Sequence, residues 1–152
     1  MAHRCSLGVE VSDPGGPLAR LHHIAATDLD AATAQTPGMT RFGAISGSRT
    51  GSERLWMGLN RVDPGARSDD HHHGHSETGI YVVAGHPVFV FAEGTEERRL
   101  ETGPGDFVFV PPFVAHREEN PDGEEAVVVL ARSTQEAIVV NLASLFEPLA
   151  ER

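Results

Sequence analysis

The apolar positions of this chain fall in short bursts. Residues 54–62, 79–85, 87–92, 106–111, 126–131 and 137–142 are rich in Val, Ile, Phe and Leu, and each run is too short for a long helix. Between them lie DPG at 63–65, EGTEE at 93–97, TGPG at 102–105, NPDG at 120–123 and STQE at 133–136. These residues favour turns through positive φ, a preset φ, or side-chain bonds to their own backbone. Closely spaced strands with turns between them, and no 3.6-residue period, predict an antiparallel sandwich or barrel.

The flanks read differently. Residues 27–35 open on Thr27, carry Asp30 three positions later and continue in alanines before Pro37-Gly38, which predicts a capped short helix. The last residues, LASLFEPLAER, predict a short closing helix before Pro148. Residues 1–20 are rich in Gly, Pro and charge and read as an arm or a single edge segment. No repeat divides the chain. The expectation is one domain, with residues 1–39 as arm and helix belonging to a barrel over residues 40–152.

Composition narrows the partners. The formal net charge is -10 with a pI near 5.2, so nucleic acid and anionic membrane surfaces are repelled at long range. All twelve basic residues are arginines, which excludes lysine Schiff-base chemistry and a P-loop lysine. Cys5 is the single cysteine, which excludes an internal disulfide, a Cys-rich zinc site and a Cys-ligated iron–sulfur cluster. No apolar run approaches the roughly 18 residues of a membrane span, and the first residues lack the apolar stretch of a signal peptide. The expected location is the cytoplasm.

The chemistry is concentrated at residues 71–77, HHHGHSE. Residues two apart on a strand face the same side, so His71 and His73 point together. Imidazole nitrogen and carboxylate oxygen suit zinc, iron, manganese and nickel, so His71, His73 and Glu77 make a usable partial site. A distant strand must supply the rest, and His116 is the only histidine in the C-terminal third. His72, of opposite parity, is expected to face outward. His75 reads either as a supporting residue or as loop. His3, His22, His23 and His86 read as surface residues.

These residues resemble the two motifs of the cupin superfamily. Gly65, His71, His73 and Glu77 match the first motif in order and spacing, while its closing glycine, Gly85, comes one residue late. Gly105, Pro111, His116 and Asn120 match the second, with Phe113 where glycine is usual. Nineteen residues separate the two motifs. The resemblance covers roughly residues 50–142. It implies an all-β jelly-roll barrel holding one divalent transition metal (Fe, Mn, Ni, Zn or Cu) through His71, His73, Glu77 and His116, and a homodimer. Counting back from Gly85 puts Thr78 at the carboxylate position. Glu77 is preferred on ligand chemistry, since a bulge can re-aim a strand residue; in a different register His75 replaces it and Glu77 becomes a catalytic or supporting carboxylate. Phe113 implies either a turn without positive φ or an aromatic at the pocket's edge.

The resemblance implies a small-molecule substrate at open metal positions, handled by dioxygenase-like or by isomerase-, cyclase- or lyase-like chemistry. The competing expectation is a barrel that binds or senses a ligand without turning it over. Glu77 and Tyr81 are the candidate catalytic groups, the latter because a phenol inside an apolar barrel needs a partner. Arg41, Arg54 and Arg61 are candidates for gripping an anion. Trp56 or Met57, Phe89 or Phe91, and Phe107 or Phe109 offer alternate parities for the barrel wall.

Overall fold

The computed structural model describes residues 20–147. Ten strands run β1 (Met39–Ile45), β2 (Trp56–Val62), β3 (His71–His72), β4 (Thr78–Ala84), β5 (Val88–Glu93), β6 (Glu96–Glu101), β7 (Phe107–Val110), β8 (His116–Glu119), β9 (Ala126–Arg132) and β10 (Val140–Asn141). They form two five-stranded antiparallel sheets, ordered β1-β2-β9-β4-β7 and β10-β3-β8-β5-β6. The fold is the expected all-β jelly roll.

Period-two alternation builds the first sheet. Trp56, Gly58, Asn60 and Val62 on β2, Thr78, Ile80 and Val82 on β4, and Ala126, Val128 and Leu130 on β9 are buried. Their neighbours face out. Trp56, Ile80, Val82, Phe89, Val110, Val128 and Leu130 meet as one core between the sheets. The register therefore settles the parities: Trp56 and Phe89 are inside, while Tyr81, Phe107 and Phe109 are outside. The outer side of the second sheet is covered near Val88 and Val90 by Leu145.

Four strands, β1, β3, β6 and β8, lie outside the apolar runs. β6 is exposed along its length and entirely polar apart from Leu100, so no alternation marks it. β3, β8 and β10 are too short to show a period. β10 takes only Val140 and Asn141 from the run at 137–142.

The helix expected at 27–35 does not form. Asp30 instead makes a two-way backbone bridge with Gly43, N···O 2.9 and 2.8 Å, which lays this segment along β1. Its side chain accepts the Ala32 N–H, a local bond that competes with helix. The one helical turn among the described residues is α1 (Gly47–Thr50), closed by Gly51 at φ 74°. Residues 142–147 make a turn, with Glu147 N–H on Ser144 O. The arm over residues 1–19, and Pro148 onward, lie outside the described residues.

Candidate metal centre

Two strands and one turn bring three imidazoles together. His71 on β3 pairs in register with His116 on β8, so both rings rise from adjacent strands of the second sheet. His73 follows past the end of β3, in a turn where Gly74 sits at φ 56° and its carbonyl accepts the Phe113 N–H. Ring centroids lie 4.5 Å apart for His71–His116, 4.9 Å for His71–His73 and 5.0 Å for His73–His116.

Each ring is oriented by the protein. His71 Nδ1 lies 2.6 Å from Asp69 O, His73 Nδ1 2.8 Å from Ile138 O and His116 Nδ1 2.9 Å from Val114 O. A carbonyl only accepts, so each Nδ1 carries the proton and each Nε2 presents a lone pair. This is the arrangement by which outer partners fix metal-ligating histidines. One ligand nitrogen from each ring lies within 4.8 Å of the others, and His116 Nε2 is buried with no hydrogen-bond partner. The three histidines fit a metal ion and could hold one.

The electrostatics agree with neutral rings. Burial, then the neighbouring His116, pushes His73 down to about 4. Burial, then His71, pushes His116 down to about 4. Both are lone-pair donors at neutral pH.

Glu77 stands outside this group. Its side chain is exposed, and its backbone is clamped by Ser133, with Glu77 N–H donating to Ser133 Oγ at 3.0 Å and Ser133 N–H to Glu77 O at 3.1 Å. The residue facing inward is Thr78, 7% exposed and on the wall of the cavity. The register shift linked to the late Gly85 falls between Val82 and Ala84, beyond Thr78, so no bulge re-aims Glu77. His75 is also exposed and outside the group. Tyr81 differs from expectation for the same reason of parity: it points outward and packs its ring against Phe107, centroids 4.8 Å apart.

Phe113 keeps the positive φ of the glycine it replaces, at 62°, the only such non-glycine among the described residues. His72 is half-buried and accepts the Gly74 N–H at Nδ1. Asn120 is not a ligand; its amide donates to Val62 O, Asp63 O and Glu124 O, tying together the two turns at that end of the barrel.

The cavity lined by His71 and His73 has a volume of about 370 Å³. Thr78, Leu130, Arg41 and Arg132 line it from the first sheet, and Glu118 from the second. Of the arginines singled out in the sequence, Arg41 reaches the cavity, Arg61 pairs with Glu125 at 2.8 Å on the surface and Arg54 is exposed. Arg132 and Glu118 were legible as period-two continuations, Arg132 from Val128 and Leu130 and Glu118 from His116.

A jelly-roll barrel with three inward imidazoles defines the class, a barrel built around a site that could hold a metal ion. The model of the cupin domain family (Cupin_2) matches residues 58–132, and the chain belongs to the cupin superfamily. Among solved structures it is similar to oxalate decarboxylase from Bacillus subtilis at pH 4.6, with 26% identity, TM-score 0.61, and coverage of 71% of this chain and 28% of that one. A structure from work on the Mn(II) centres of the same decarboxylase gives 24% identity and TM-score 0.62, covering 74% and 30%. A recombinant oxalate oxidase in complex with glycolate gives 18% identity and TM-score 0.61, covering 74% and 59%. The chain thus spans under a third of the decarboxylase chains. No curated protein matches it.

Proposed function

We propose that this cupin is a mononuclear metal enzyme acting on a small organic molecule in the cavity before His71, His73 and His116. The observation that carries this reading is the set of three backbone-anchored Nδ1–H groups, which leaves three convergent Nε2 lone pairs. A core histidine needs one partner, but nothing except a ligand needs three aligned acceptors. When bound, a divalent metal supplies a Lewis-acid centre with positions left open for a small molecule. The chain's own residues then do the rest. The three imidazoles hold their ligating nitrogens unprotonated, and Leu130 and Ile138 give the cavity an apolar side. Glu118 is a carboxylate on the wall in place of Glu77.

Manganese is the first metal to test, since the Bacillus subtilis decarboxylase is described through its Mn(II) centres. The experiment is reconstitution with Mn, Fe, Ni, Zn and Cu in turn, followed by oxygen-electrode and product assays on oxalate, glycolate and other small acids. Oxygen uptake with a new product marks the oxidative branch, and product without uptake the non-oxidative one. The second reading, a ligand-binding barrel, is favoured by the outward placement of Glu77 and Tyr81. Saturable binding with no turnover on any metal would establish it and overturn the enzyme.

A second copy of the chain is the partner proposed for the outer face of the first sheet. Phe107 and Phe109 stand 79% and 62% exposed there beside Tyr81 and Val83 as an apolar patch, whereas an ion-pair network covers the outer side of the second sheet. Among the described residues no helix is long and apolar enough to cross a membrane.

A further inference from the structure

The first sheet brings two arginines to the cavity, and among the described residues no ion pair engages either of them. Arg132 closes β9 at the inward parity of Val128 and Leu130, paired in register with Trp56 on one side and Thr78 on the other. Its guanidinium lies 4.0 Å above the Trp56 ring, which holds it flat. Its hydrogen bonds go only to carbonyls, Nε to Thr134 O at 3.2 Å and Nη2 to Gln135 O at 3.0 Å. Arg41 on β1 lines the same cavity, donates Nη1 to Ala34 O, and leaves Nε buried with no partner.

Arg41 pairs in register with Asn60, which is fully buried with both amide atoms unpartnered. Buried polar atoms left unpaired are costly, and unpaired buried charge costs more. Among the described residues neither arginine forms an ion pair, although Asp69 and Glu118 line the same cavity. Burial, then the charge of Arg41, pushes Arg132 down to about 10, so the two cations feel each other with no acid between them. In a chain of net charge -10, two arginines that share a cavity with Asp69 and Glu118 yet pair with neither mark a place suited to an external anion.

We infer that Arg41 and Arg132 form a carboxylate-binding subsite in the cavity that His71 and His73 line from the second sheet, so that the cavity takes a small carboxylic acid whose far end meets the metal. The inference rests on the proposed metal site for the far end of the ligand only; the arginine subsite stands by itself. Neither arginine belongs to the two histidine motifs. The all-imidazole ligand set strengthens the selection. With Glu77 outside, no ligating carboxylate offsets the charge of a divalent ion, so an anionic ligand is drawn from both ends. Bidentate guanidinium–carboxylate geometry then fixes the acid's orientation.

The test is calorimetric titration of oxalate, malonate and succinate into manganese-loaded and chelator-treated protein, wild type against Arg132→Gln, Arg132→Lys and Arg41→Gln. Metal content is measured on every sample. The expected result is that at least one acid binds wild type, and that each Gln variant weakens it tenfold or more while metal content stays within twofold. Arg132→Lys is expected to recover part of the loss. Arg132 also ties down the loop at Thr134 and Gln135, so Arg41→Gln carries the test if Arg132→Gln does not fold. Equal affinity in wild type and the Gln variants overturns the inference, as does failure of all three acids to bind. Arginine-dependent binding to a wild type that takes up no metal upholds the subsite and overturns the metal reading instead.

Discussion

At the scale of single residues, one methylene-sized decision sets the character of the site. Glu77 and Thr78 are adjacent on the strand, and the pleat sends one out and the other in. Ser133 fixes that choice through both backbone groups of Glu77. Glu77→Gln is therefore expected to leave metal content and affinity unchanged within twofold, measured by elemental mass spectrometry after dialysis against a fixed metal buffer. A tenfold loss would place the carboxylate back among the ligands.

The histidines also predict a pH dependence. His73 and His116 are depressed from 6.5 to about 4 in the folded protein. Between those values the unfolded chain binds more protons than the folded one, so acid favours unfolding. The metal-free protein should have full stability above about pH 6.5 and lose a few kcal/mol as the pH falls toward 4. Urea midpoints across that range check it, and His116→Ala should flatten the curve.

At the scale of elements, Asn120 shows how a motif residue can serve the fold rather than the chemistry. Its backbone N–H donates to Ala66 O, its carbonyl accepts from Gly65, and its side-chain amide holds three further carbonyls. Asn120→Ala removes the side-chain bonds from a buried place and should cost about 2–4 kcal/mol in denaturant unfolding, with metal content retained in the folded fraction. Gly58 is a second element-level constraint. A Cβ there would lie 2.2 Å from Phe42 O, so Gly58→Ala should part β1 from β2 and destabilise by more than about 2 kcal/mol.

The same elements mark where sequence reading ends. Strands with apolar alternation were legible, because burial on one face writes a period of two. β6 was not, because it is exposed throughout and its first residues look like part of the turn at 93–97. Residues 27–35 carry helix signals, but pairing of Asp30 with Gly43 outweighs a weak local preference. The triad was legible from spacing and parity across two distant stretches. The meeting of Arg41 and Arg132 in one cavity required the register across β1, β2 and β9, which a single chain does not disclose.

At the scale of the whole molecule, charge is sorted between surfaces. The outer side of the second sheet carries an ion-pair network in which Arg117, itself buried, binds Glu97, Glu119 and Asp70, and Arg99 joins Glu119. The outer side of the first sheet offers Phe107, Phe109, Tyr81 and Val83. Stacking two copies on the apolar face keeps their like charges apart. Light scattering is expected to give twice the 16.3 kDa chain mass, and the Phe107→Ser, Phe109→Ser double variant a monomer with its metal retained. A wild-type monomer contradicts this.

The proposed function depends on an ion held by three imidazoles. The direct measurement is metal content by elemental mass spectrometry, on untagged protein purified without nickel resin or chelator, beside His116→Ala. The account predicts close to one divalent transition metal per chain in wild type and its loss in a variant that remains folded. Wild type without metal, and taking up none on reconstitution, would contradict it.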